Sequence, residues 1–452
     1  MKTLPKKQWI SRQMFVRLIL VFAGLFLLSA CGNDELILPG EREAIRPVEG
    51  VETGEDGEPI VVEREVPGIN VPTATRNASW THVNGNAQHL STNLSLETSL
   101  SRSWSVSIGR GNSRRARIIA APIVAGGLIY TLDAAATVSA VSEAGRVQWR
   151  TDTTPDGEAS RDGFGGGVAY SDGQLFVTNA FGEILALDPV SGEILWRTSV
   201  DSPIRAAPVA ENGKVIVVAR NDIGYGLDAE TGSLDWRSQA VGQGAGVLGG
   251  SSPAIRGPVV VIPFQSGEVN AVLARSGRTV WNAAISGGRR ELVRAQISDI
   301  TGTPVIDNDI VYAANQGGLL VSFDRRSGTR NWTARQGSLS PALPIDNSVF
   351  IVSDEWEVMR LDMETGEEFW SVQLPQWRKP EKRQDAYPQF GPLMGGGRLI
   401  VAGADGQLRQ FDPNSGAELG SVAIPGGAAS QPAIANGVLY VVSLDGRLHA
   451  FQ

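Results

Sequence analysis

The 452-residue chain is predicted to be all-β, an eight-bladed β-propeller of four-stranded antiparallel blades whose ring closes by pairing of its N-terminal and C-terminal strands. Three observations predict it. A phrase recurs in which an apolar strand ends in Asp, followed by two variable residues, Ser or Thr, Gly, and a Trp four residues beyond that Gly. The steps between Trp149, Trp196, Trp236, Trp281, Trp332 and Trp370 run 47, 40, 45, 51 and 38 residues, close to the roughly 40 to 45 of a four-stranded blade. Each copy follows a β-branched, near-alternating run broken by a turn, as in GKVIVVARNDIGYGLD, the pattern of paired antiparallel strands rather than of a helical solenoid.

Taken from the N-terminus, the chain opens with a basic segment, the apolar run LILVFAGLFLLSA and then its single cysteine, Cys31. This is the layout of a secretory signal, and the run is too short for a membrane span. Leu28-Ser29-Ala30-Cys31 resembles the bacterial lipobox, which implies removal of residues 1–30 and lipidation of Cys31. Gly32, where an inner-membrane lipoprotein would carry Asp, points to the outer membrane. Residues 31–79 have scattered prolines, an acidic excess and no sustained period, and read as a lipid-anchored flexible tether.

Residues 80–452 read as the propeller. RSWSVSIG, around Trp104, precedes the first full repeat. Six repeats end in Trp, and a seventh, RQFDPNSGAELG, carries Gly420 in its place. The last unit, GVLYVVSLDGRLHAFQ, stops at Gln452 before a fourth strand, so the strand around Trp104 is its expected partner; that pairing closes the ring and removes exposed edges. Asp188, Asp228, Asp324, Asp362 and Asp412 are expected to cap their turns, with the glycine supplying positive φ. The recurrent Trp is expected to fill the wedge between neighbouring blades.

Composition narrows the chemistry. Losing the five cations of residues 1–30 takes the formal charge of −8 to −13, which disfavours nucleic acid. With one cysteine there is no CxxC or cysteine pair. The three histidines, His82, His89 and His449, show no metal-ligand spacing and read as structural. No nucleophile stands beside a base. No catalytic residue, cofactor or metal is therefore expected, and the chain is expected not to be an enzyme.

The blades resemble the pyrroloquinoline-quinone-type (PQQ-like) propeller repeat, also found in quinoprotein alcohol dehydrogenases. That likeness keeps a quinoprotein dehydrogenase-like enzyme open as a second reading, although this chain lacks the adjacent cysteines those enzymes use; a ligand-sensing propeller is a third. Lipobox, tether and propeller together resemble the BamB family of lipoproteins, scaffold subunits of the outer-membrane β-barrel assembly machinery, over nearly the whole chain. The resemblance implies a periplasm-facing protein that binds the periplasmic (POTRA) domains of BamA and aids unfolded outer-membrane protein precursors.

Two segments carry the implied interface. GAGVLGGSSPAI (244–255) is similar in placement to a family loop contacting BamA, and RRELVRAQISDITGTPVI (289–306) resembles the family's Glu…Arg…Leu-Ser-Asp-x-Asp-x-Thr-Pro segment. By that match Val247, Leu248, Glu291, Arg294, Ile297, Ser298 and Asp299 are the partner-binding candidates. Val247 and Leu248 stand where the family has a leucine and an arginine, and Thr301 stands at the second aspartate; Asp299 also reads as a plain loop cap. The connection 375–391 carries Arg378, Lys379, Lys382 and Arg383, either a solvated loop or a contact for acidic protein or lipid head groups.

Overall fold

Each repeat folds into four antiparallel strands in which every strand pairs with its neighbour in sequence. The computed structural model describes residues 66–241, 250–285, 287–289 and 297–452. Seven blades span residues 123–152, 167–199, 209–239, 254–284, 300–334, 343–373 and 389–423, and the eighth joins 433–451 to the strand Arg102–Ser107. In that eighth sheet Trp104 faces Ala450 and Val106 faces Leu448 in an antiparallel ladder. The expected closure by the two ends of the ring is thus present.

Sequence pattern explains the layering. Second and third strands such as Ser348–Val352 and Glu183–Leu187 are buried throughout, because both faces pack against neighbouring blades. Outer strands alternate, as in Val147–Asp152 and Ile194–Ser199. Before each outer strand the ladder slips by one residue, for instance at Ala186/Leu187 and Ser322/Phe323. In five of the blades the slip coincides with the Asp-x-x-[Ser/Thr]-Gly turn. Asp188 Oδ1 accepts from the Val190 and Ser191 amides and the Ser191 hydroxyl at 3.0, 2.7 and 2.9 Å; Asp324 and Asp412 repeat the pattern. The Ser191 amide and hydroxyl hold the Asp188 carboxyl below the ordinary carboxylate value.

The tryptophans join blades. Each indole lies on the turn glycine of the next blade: a Cβ added to Gly366 would stand 2.5 Å from the Trp332 ring, and one added to Gly232 2.5 Å from Trp196. In all but Trp370 the indole N–H donates to a carbonyl of that same turn, Trp332 to Met363 at 2.9 Å, Trp236 to Ala274 at 2.8 Å and Trp104 to Glu143 at 2.9 Å. This geometry also explains Gly420. The blade after it is the eighth, whose third and fourth strands are the two ends of the ring and share no turn. A Trp at 420 has no glycine turn to cover, and the position has open space around it.

One element has no counterpart in the repeat pattern. Residues 77–96 cross the propeller axis and fill it. Trp80 exchanges both backbone hydrogen bonds with Val124, Thr81 accepts from Tyr170, Ala87 from Ile255, Gln88 from Ile306 and Asn77 from Asn436, while Leu94 bonds Met394 and Gly396. Those partners lie on the inner strands, or the turns that follow them, of blades 1, 2, 4, 5, 8 and 7. His82 Nε2 reaches Ala210 of blade 3 at 3.1 Å, and His89 Nδ1 reaches the Pro304 carbonyl at 3.0 Å. The chain also joins the ring earlier than the expected boundary at residue 80. The buried Arg360 donates to the Pro67 carbonyl at 2.7 Å, Asn70 N–H donates to Asp346 at 2.9 Å, and Ile69 and Val71 pack against the core of blades 6 and 7.

The histidines are structural, as expected. Burial lowers the pKa of His82 to about 3 and of His89 to about 4, and burial of His449 lowers it to about 4. The folded form keeps these rings neutral, so the unfolded chain binds protons first as pH falls below about 6.5. Stability from them is fully present above that value and is lost progressively down to pH 3–4. At pH 5 the expected loss is on the order of 2 kcal/mol for each of His82 and His89. Urea midpoints measured between pH 8 and pH 4 check this: the fall should begin near pH 6.5 and be shallower in a His89→Gln variant.

Candidate interaction face

The two ends of the propeller differ in chemistry. One carries the short turns between first and second and between third and fourth strands; the entry segment at Pro67–Asn70 meets the ring there, against Asp346 and Asn347. The other carries the connections from each outer strand to the next blade's inner strand. These connections surround a cavity of about 1070 Å³ that residues from all eight of them line, with Val83 of the axial segment at its floor.

The sequence-predicted residues fall at this second end where they are described. Ile297 and Ser298 are half-buried at the start of blade 5, and Ser298 sits directly over Gly267. Asp299 is buried; it lines the wall of the cavity and a smaller recess shared with Arg205, Asp222 and Gln265. Its backbone carbonyl accepts from Gln316 N–H at 3.0 Å. Asp299 therefore belongs to the wall of the face rather than to its exposed tip. Thr301 donates its hydroxyl to the Ser338 carbonyl at 2.8 Å, a tie to the next connection that an aspartate carboxylate cannot make. Val247, Leu248, Glu291 and Arg294 lie outside the described residues, as does Cys31.

Two features anchor the same connection. Arg289 bridges across blade 5 to blade 6, with Nη2 at 2.5 Å from Asp354 and Nη1 at 3.0 Å from Glu355. Between blades 6 and 7 the basic connection forms its own small hairpin, Trp377–Lys379 against Gln384–Ala386. Trp377 lies 5.8 Å from Trp356, whose indole N–H donates to Tyr387, so the hairpin is held over the cavity rim. A second basic connection escaped the sequence reading. Arg110, Arg114, Arg115 and Arg117 run along the link between blades 8 and 1 with no acid among residues 108–122.

A quinone centre of the dehydrogenase type does not fit here. The chain's only cysteine is Cys31, and among the described residues no group of three His, Cys, Asp or Glu side chains is placed to hold a metal ion.

Comparison with known proteins agrees with the repeat reading. Structurally, the chain is similar to BamB from Moraxella catarrhalis, at 21% identity and a TM-score of 0.64 over 78% of this chain and all of that one. It is also similar to the quinohemoprotein alcohol dehydrogenase of Comamonas testosteroni, at 14% identity and a TM-score of 0.63 over 84% of this chain and 81% of that one. At these identities both report the fold. In sequence it is 25% identical to the outer membrane protein assembly factor BamB of Yersinia pestis over 77% of this chain and 88% of that protein. It is 26% identical to that of Shewanella oneidensis over 76% and 87%. The family profile described as outer membrane protein assembly factor BamB matches residues 134–372 and 375–452. Matched over most of its length, with part or all of every blade, the chain belongs to the BamB family of outer membrane protein assembly factors.

Proposed function

We propose that the chain is a non-enzymatic scaffold of the outer-membrane β-barrel assembly machinery, anchored in the outer membrane by lipid on Cys31 and facing the periplasm. Its connection-bearing end receives the periplasmic (POTRA) domains of BamA. The observation that carries this reading is convergence: Gly250 and Ser252 of the first family-like segment and Asp299, Ile300, Thr301 and Thr303 of the second meet on the wall of one cavity at one end of the ring. Binding loops on a fixed frame are where partners dock. The donor set that fails to fit a quinone and metal supports a role without catalysis.

The rim of the ring supports a second contact. Each outer strand leaves one edge unpaired, and Leu195, Leu234, Val280 and Leu419 on those strands are exposed. An extended precursor segment can add to such an edge through main-chain hydrogen bonds without sequence readout.

A photo-crosslinking residue at Ser298 tests the docking end. The expected product in cells is an adduct with the periplasmic domains of BamA, with none from Ser415, which lies in a turn at the opposite end. No adduct from Ser298, or equal adducts from both, rejects this placement.

A further inference from the structure

Eight cations of this acidic chain lie in two of the connections around one opening. Four arginines lie in 110–117, and Arg378, Lys379, Lys382 and Arg383 lie in the hairpin between blades 6 and 7 against only Glu381 and Asp385. Arg117, Arg205 and Arg378 line the cavity itself. They come from the connections between blades 8 and 1, 2 and 3, and 6 and 7, so that the outer two stand two blades away from the first on either side.

Among the described residues little neutralises them. Among the described residues the arginines at 110–117 make no ion pair, and the one formed by the hairpin, Lys379 with Asp385 at 3.1 Å, is more than half exposed at both ends and contributes little. The Arg378 guanidinium lies 5.2 Å over the Tyr387 ring and that of Arg205 5.2 Å over Phe164. Arg205 is half-buried, and its Nε is enclosed without a hydrogen-bond partner. Burial and the neighbouring Arg220 hold its pKa below the usual arginine range. Asp299, Asp385 and Asp445 also line the cavity. Of these, Asp385 pairs with Lys379 and Asp445 accepts from the Ser443 hydroxyl.

We propose that this mouth is a docking site for an acidic polypeptide segment of a partner protein, whose carboxylates pair with Arg117, Arg205 and Arg378. Two features select that ligand class. The charges line the wall of a closed-bottomed cavity, which a flat lipid surface does not reach and a protruding chain does. They are also spread around the opening, so one small anion cannot bridge them while successive carboxylates of a peptide can. The inference rests on the docking end assigned above and supplies the chemistry of what it receives.

The test uses full-length protein in detergent micelles and a fluorescent ten-residue oligoglutamate, with oligolysine and phosphatidylglycerol vesicles as alternatives. The expected result is binding of oligoglutamate alone, weakening as salt rises. Replacing Arg117→Glu, Arg205→Gln and Arg378→Glu together should weaken it by about tenfold or more, while Arg278→Glu at the opposite end should not. If the triple variant does not fold, the exposed pair Arg117→Glu and Arg378→Glu gives the same comparison. Absence of oligoglutamate binding, unchanged binding in the variants, or capture of vesicles in place of peptide overturns the proposal. Recovery of the assembly machinery from membranes separates the two readings. Recovered subunits with no peptide binding sink this inference alone; peptide binding without those subunits sinks the scaffold reading alone.

Discussion

A chain that begins at residue 97 is expected not to form the closed ring, although it retains every blade strand. Residues 77–96 supply the buried Trp80 and Leu94, at 1% and 6% exposure, and backbone partners for six blades. Truncating a buried Trp alone costs about 3 to 5 kcal/mol and a buried Leu about 2 to 5. Each inner-strand amide or carbonyl left unpaired in the axial hole adds about 1 to 3 kcal/mol. Summed over the segment, this exceeds the roughly 5 to 15 kcal/mol that a folded domain has in total. A chain beginning at residue 66 keeps the axial segment and should fold. Circular dichroism and limited proteolysis of the two truncations decide the matter; equal protease resistance would show that the axial segment is an accessory.

The second large effect is local. Trp332→Ala should destabilise the ring by about 3 to 5 kcal/mol, because the indole fills the wedge over Gly366, lies 6.0 Å from Tyr312 and donates to the Met363 carbonyl. The reverse change, Gly420→Trp, restores the repeat phrase yet should bring no stability, since blade 8 offers no turn for the indole to cover. A consensus argument predicts the opposite sign at 420. Urea unfolding of both variants separates the two: a stabilising Gly420→Trp would contradict the account of the wedge.

Much of this architecture was legible because the repeat encodes turn chemistry directly. Asp188, Asp324 and their equivalents sit where a carboxylate satisfies turn amides, and each tryptophan marks where one blade meets the next. Even the anomaly at Gly420 follows once the ring is known to close between the third and fourth strands of its last blade. The axial segment was not legible. WTHVNGNAQHLSTNLS has neither a two-residue nor a 3.6-residue period, because it passes from blade to blade along its length and gains its order from them. The start of the ordered body was misplaced for the same reason: Pro67–Val71 is held by Arg360 and Asp346, nearly 300 residues away, and nothing local in a proline-containing stretch announces that.

The candidate site was legible as a region more than as residues. Loop length and the resemblance led to the connection before blade 5, but the seat of Ser298 over Gly267 and the bond from the Gln316 amide to the Asp299 carbonyl come from turns elsewhere in the chain. The run from Arg110 to Arg117 was visible in the sequence as charge without acid. Its meaning came only with the fold, which sets it on the same rim as the hairpin carrying Arg378.

The central claim is that this propeller works as part of the outer-membrane assembly machinery. Tagged full-length protein purified from native outer membranes in mild detergent, with its companions identified by mass spectrometry, tests that most directly. The account predicts recovery of the barrel assembly subunits with BamA among them; their absence, with a tightly held quinone and calcium in their place, would contradict it.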